Sequence, residues 1–139
     1  MQKTVSRRTD DVRDEYIVTL CEYIGEVRTE NQTRVVLSAV DGTVLSAQSW
    51  DTPTRVGLAP SIAPALALAA AESAAHMPIH TEEFSELRVL ESAVTPQVLV
   101  WWVELATGNA DFGGVRTVVI DAQSGAVLQV IEGGEHLRR

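Results

Sequence analysis

The chain reads as a series of short strands, broken once by a stretch with helical spacing. Residues 15–24 alternate as a strand, with Tyr16, Val18 and Leu20 toward one side and Ile17, Thr19, Cys21 and Tyr23 toward the other. Residues 25–33 read as a polar connection, followed by a second strand from about Arg34 to Val40. Asp41-Gly42 predicts a two-residue type I′ hairpin, because that turn needs positive φ at both central residues. The returning strand, Thr43–Trp50, ends before Asp51-Thr52-Pro53, where proline cannot donate to the ladder. Residues 1–14 are polar and predict a flexible tail.

Residues 51–60 form a linker, and Ser61 predicts the N-cap of a helix that carries Pro64 in its first turn and runs to about Ala75. Ile62, Leu66, Ala69, Ala70 and Ser73 fall at helical spacing and predict its buried stripe. His76-Met77-Pro78 ends it. The remainder is β: Glu86–Val94, a tight turn at Thr95-Pro96-Gln97, Val98–Ala106, a turn at 107–114, then Val115–Gln123 and Ala126–Glu132 around Ser124-Gly125, with a tail at 133–139. Val98–Ala106 is apolar on both faces, Leu99, Trp101 and Val103 against Val98, Val100 and Trp102, which places it in a sheet interior.

The strongest single pattern is an internal repeat. Residues 35–48, VVLSAVDGTVLSAQ, align without a gap on residues 118–131, VVIDAQSGAVLQVI, with six of fourteen positions identical, Gly42/Gly125 among them. The same offset of 83 lays Tyr16–Leu20 on Leu99–Val103 and Gly25 on Gly108. The elements together predict an α+β fold: an antiparallel β meander with one main α-helix packed on one face and an internal β-hairpin repeat. The expected organisation is a tail at 1–14, a β unit at 15–50, the linker at 51–60, an αββββ unit at 61–132 and a tail at 133–139, all within one domain.

Charge and cysteine narrow the function classes. The net charge of −8 is uneven: residues 1–55 hold seven basic and nine acidic side chains, residues 56–139 four and ten. Such a surface repels phosphate backbones, so nucleic acid is not an expected partner. Cys21 is the only cysteine, so no intrachain disulfide forms. The segment MQKTVSRRTDDVRDE has no apolar core of the kind a secretion signal carries, and Leu58–Ala71, interrupted by Pro60 and Pro64, is too short to span a bilayer. The expectation is a cytoplasmic chain with no membrane insertion; the alternative is an exported protein whose signal has been trimmed.

Residues 60–132 resemble a PepSY domain, a small bacterial module with a cystatin-like helix-on-sheet fold. The resemblance lies in the Ala-rich helix Ala65–Ala75, the strand Glu86–Glu91, the aromatic-centred strand Val100–Glu104 and the closing segment from Val118 to Leu128, an aliphatic strand followed by Asp-Ala-x-x-Gly-x-Val-Leu. Residues 36–45 repeat that closing segment with Ser38 in place of Asp121, so residues 15–50 read as a truncated second copy. The resemblance implies inhibition or chaperoning of peptidases, or a sensory and binding role at the cell envelope.

Candidate chemistry is sparse. His76, His80, Glu82 and Glu83 have some of the spacing of a helical metal site, but Pro78 breaks their shared face, so no metal or cofactor is expected. Cys21 lies mid-strand among apolar residues and reads as a small hydrophobe. No nucleophile–base pair, phosphate loop or dinucleotide motif is present, and no catalytic residue is assigned. Since one helix covers one face, the second apolar face of Val98–Ala106 needs another cover. The candidate interface is therefore Val98, Val100 and Trp102, with Ile17 and Thr19. The expected function is a non-enzymatic protein-interaction module, binding a protein partner or itself as a homodimer. The alternative is a cystatin-like ligand-binding or enzymatic domain with a pocket between helix and sheet.

Overall fold

Backbone pairing, more than helix packing, organises this chain. The computed structural model describes residues 2–9, 14–77, 80, 82–91, 96–107 and 114–132. Among them are eight strands and one eleven-residue helix: β1 (Gln2–Thr9), β2 (Asp14–Ile24), β3 (Val27–Ser38), β4 (Val44–Trp50), α1 (Pro64–Ala74), β5 (Glu82–Leu90), β6 (Val98–Ala106), β7 (Val115–Asp121) and β8 (Val127–Glu132). This corrects the α+β expectation. The chain is predominantly sheet, and its helix is a short accessory in place of a main layer. The cause is in the polar stretches: residues 2–9 and 27–33, too polar to read as strands, are strands through backbone pairing with β2.

The chain divides into two compact units, residues 1–54 and 55–139. In the first, β1, β2, β3 and β4 pair in order, each antiparallel to the next. Residues 2–9, expected as a tail, pair along their whole length with Asp14–Cys21. Residues 27–33, expected as a connection, continue β3 because Val27 and Thr29 alternate inward with Arg28 and Glu30. Gly25-Glu26 alone joins β2 to β3.

In the second unit β5, β6, β7 and β8 form another antiparallel meander. β5 begins four residues earlier than its predicted start at Glu86; residues 92–95, with the end of the predicted strand and Thr95 of the predicted turn, residues 108–113, with most of the other predicted turn, and the tail 133–139 lie outside the described residues. The core sits on β6 and β7, where Leu99, Val103, Leu105, Val118 and Ile120 are completely buried. Helix α1 lies near β6, β7 and β8. Its inward stripe is Ala67 and Ala71, continued by Ala75 beyond the helix end, while Leu66 of the predicted stripe is 63% exposed. Alanine on every side leaves no hydrophobicity difference to orient the helix, so close approach selects its smallest side chains.

The helix ends carry different chemistry from that predicted. Its N-cap is Ala63, with no side-chain cap, and Pro64 opens the first turn. The Ser61 hydroxyl instead donates to Gln123 Oε1 at 2.5 Å. At the other end Met77 N–H donates to Glu72 O and His76 N–H to Ser73 O, a Schellman closure with His76 in the left-handed region (φ 51°).

The two repeated hairpins match bond for bond. Ser38 N–H donates to Thr43 O and Gly42 N–H to Ser38 O; Asp121 N–H donates to Ala126 O and Gly125 N–H to Asp121 O. Each hairpin also carries a register shift at the equivalent place, between Val36 and Leu37 and between Val119 and Ile120. These are four-residue loops, not the predicted two-residue type I′ turn. Of Asp41 and Gly42 only the glycine has positive φ (76°), as has Gly125 (78°), and a longer loop lets the aspartate keep ordinary geometry.

Candidate functional site

The pairing of β2 with β3 and of β6 with β7 shows how the two units correspond. β3 and β4 match β7 and β8 at the offset of 83, but β2 matches β6 at 85. The Ala39 amide donates to Asp14 O and the Ala122 amide to Leu99 O, both at 3.0 Å, and Ile17 pairs with Val36 as Trp102 pairs with Val119. The ungapped sequence alignment of Tyr16–Leu20 with Leu99–Val103 is therefore two residues out. Cys21 and Gln32 pair where Ala106 and Val115 pair, with two residues more between them in the first unit, and the register shift between Cys21 and Tyr23 lies in that extra length. A slip of two preserves which side chains share a face.

On this correspondence Tyr16, Val18 and Leu20 of β2 stand where Trp101, Val103 and Leu105 stand on β6, and Val35 and Leu37 of β3 stand where Val118 and Ile120 stand on β7. In the second unit this face lies beneath α1 and its lead-in segment. Trp101 is 7% exposed, its Nε1–H donating to Ile62 O at 2.9 Å, and the other four residues are completely buried. The Ser61 and Ile62 amides both donate to Ala122 O, at 2.9 and 3.0 Å, and the Arg116 guanidinium donates to Ala75 O. In the first unit Tyr16 is 37% exposed and Val18, Leu20, Val35 and Leu37 are half-buried. Val5, opposite Val18 on β1, is 52% exposed. No helix occurs among the described residues of that unit. One border of the face is fixed by Arg7, whose guanidinium makes two bonds to Asp14 (2.9 and 2.6 Å) and lies 5.5 Å from the Tyr16 ring.

The predicted interface residues fall on the opposite faces. Val98, Val100 and Trp102 share one face of β6, and Ile17 and Thr19 share the corresponding face of β2, as the equivalents of Trp102 and Glu104. Val100 is completely buried, whereas Val98, Trp102, Ile17 and Thr19 are half-buried. Trp102 is held by groups the sequence did not single out. The Arg88 guanidinium stacks 4.1 Å over its ring and bonds Glu86 at 2.5 Å, while Trp102 Nε1–H donates to the buried Glu104 at 3.0 Å. Arg88 and Glu86 sit two apart on β5, so they share a face, and that spacing was the available signal.

The remaining candidates are dispersed. Cys21 is buried, its sulfur accepting from the Arg28 guanidinium at 3.1 Å. His76 closes the helix, and His80 lies 3.4 Å from Glu72 and 3.8 Å from Glu83. Among the described residues no group of three or more His, Cys, Asp or Glu is placed to hold a metal ion. One cleft of about 210 Å³, in the first unit, is lined by Leu20, Glu22, Asn31, Thr33, Trp50 and Asp51 among others. Another of about 310 Å³, in the second, is lined by Arg55, Val56, Glu91, Pro96 and Gln97. Neither is lined by α1. Two turn carboxylates are held below the usual carboxylate range, Asp121 by the Ser124 and Gln123 amides and Asp41 by the Thr43 hydrogen bonds.

No helix among the described residues is long and apolar enough to cross a membrane. No protein-family model matches the chain, and no curated protein sequence matches it. Among solved structures, the YpeB C-terminal domain of Bacillus megaterium superposes with a TM-score of 0.62 at 15% identity, over 96% of this chain and 57% of that one. A "putative lipoprotein" from Clostridium difficile 630 aligns at 14% identity over 92% of this chain and 79% of that one, with a TM-score of 0.38. The chain thus spans a little over half the length of the YpeB domain, and what the two have in common is the fold.

Proposed function

We propose that this chain is a non-enzymatic protein-binding module of PepSY-like fold, and that it binds through the open apolar face of its N-terminal unit. One observation carries the reading. A set of five aliphatic and aromatic positions is 7% exposed or less in the second unit, while the equivalent five in the first are half-buried or, at Tyr16, 37% exposed. Uncovered faces of this kind mark interaction sites. The proposed surface replaces the Val98–Val100–Trp102 face, because Val100 is completely buried. A peptidase held or regulated by this module is the partner class that the PepSY resemblance suggests, and a second copy of the chain is the other protein able to cover the face.

The test is photo-crosslinking from the full chain in its host, with a benzophenone amino acid at position 16 or, as control, at exposed position 26. Protein adducts from position 16 that are absent from position 26 support binding through this face. Equal or absent crosslinking from both positions would refute it.

A further inference from the structure

The repeat that identifies the open face also indicates what fits it. This inference rests on the reading above and names the kind of partner. In the second unit the equivalent face is met by an alanine-striped helix at three kinds of contact. Ala67 and Ala71 press onto the β6–β7 surface, the Trp101 indole ties to Ile62 O, and the lead-in segment docks on the hairpin through the Ala122 carbonyl and through Ile62, whose Cδ1 would lie 3.4 Å from a Cβ at Gly125. Each contact has an open counterpart in the first unit. Tyr16 stands in the place of Trp101 with a polar tip at a part-exposed site, and a Cβ at Gly42 would meet nothing within 4 Å where Ile62 covers Gly125. Among the described residues no backbone amide reaches the Ala39 carbonyl, whose counterpart Ala122 accepts two.

We propose that the open face of the N-terminal unit receives an α-helix of a partner protein that presents a stripe of alanines or other small residues, seated across β2 and β3 as α1 is seated across β6 and β7. Small residues let a helix axis come close to a sheet whose own side chains are of valine and leucine size, as Ala67 and Ala71 do in the second unit. A helix-in-face mode reads as anchors at i, i+4 and i+8, the spacing of Ala67, Ala71 and Ala75.

The chain supplies its own probe, a synthetic peptide of residues 58–77. The experiment titrates this peptide into the isotope-labelled full chain and follows amide and methyl resonances. The expected result is saturable shifts at Val5, Tyr16, Val18, Val35 and Leu37, with affinity reduced about tenfold or more by Tyr16→Glu, the scale of a lost central anchor. Val5→Glu, at a site open enough to leave the fold unchanged, gives a second and weaker loss. Absence of shifts, or shifts confined to residues 61–132 as the peptide competes with α1, would overturn the helix. Concentration-dependent dimerisation abolished by Tyr16→Glu, without peptide binding, would also overturn it while leaving a protein-binding face intact. Peptide binding without any crosslinked partner in the host would instead count against the proposed function alone.

Discussion

Val35 and Val118 are the same residue at equivalent places in the repeat, so one substitution made twice measures what covers each face. Val118 is completely buried and Val35 half-buried. Removing two methyl-sized groups from a fully buried site loses about 1.6 kcal/mol of transfer free energy at ~0.8 kcal/mol per group. The unfilled space adds on the order of 1 kcal/mol. Val118→Ala is therefore expected to cost about 2.5 kcal/mol. At Val35 about half the transfer is lost and water closes the gap, giving roughly 0.8 kcal/mol. The intrinsic strand preference of valine over alanine, up to ~1 kcal/mol, enters both and cancels in the difference. The gap of about 1.7 kcal/mol exceeds a tenfold change in the unfolding constant. Urea unfolding followed by far-UV circular dichroism, with hydrogen exchange of β3 and β7 amides to report each unit, measures it as midpoint shifts at unchanged slope. Val18→Ala against Val103→Ala repeats the comparison on β2 and β6. Equal costs within each pair would mean that the N-terminal face is packed as tightly as the C-terminal one and is not open.

Other consequences are local. His76 occupies a left-handed position that favours glycine, so His76→Gly is expected to stabilise by about 0.5–1 kcal/mol, the relieved strain exceeding the added unfolded-state entropy, and to raise the thermal midpoint by a few degrees. Arg88→Ala removes the guanidinium from between the half-buried Trp102 and the little-exposed Glu86 and is expected to cost about 3 kcal/mol with a changed tryptophan emission; Arg88→Met, which keeps the packing on Trp102, costs less. Asp121 and Asp41 have lowered folded-state pKa values, from the Ser124 and Gln123 amides at one and Thr43 at the other. The stability they contribute is therefore fully present above the unfolded carboxyl value of about 3.9 and is lost as pH falls through the folded values. Urea midpoints between pH 6 and pH 2.5 should show a shallower acid loss in Asp121→Asn than in the parent.

What the sequence makes legible is what apolar side chains control. β6 was readable to the residue because Val98–Ala106 carries apolar groups on both faces, and the hairpin repeat because Gly42 and Gly125 mark the one place in each loop where φ must be positive. Strand β1 was not, since Gln2–Thr9 owes its conformation to hydrogen bonds from β2 and holds one aliphatic residue, Val5. The first residues of β3 are not legible for a related reason, Thr29 being the inward residue at a place where alternation needs an apolar one. The rotation of α1 was unreadable because alanines on all sides give the pattern no direction. The two-residue offset between β2 and β6 is the deepest of these cases. An even slip leaves every side chain on its own face, so hydrophobic alternation scores the wrong register as well as the right one, and only main-chain partners such as Asp14 O and Leu99 O decide. That slip moves Tyr16 from the place of Leu99, a strand-end residue, to the place of Trp101, the anchor beneath Ile62. With Tyr16 matched to Trp101, the N-terminal unit has the side chains of a helix-covered face and, among its described residues, no helix of its own.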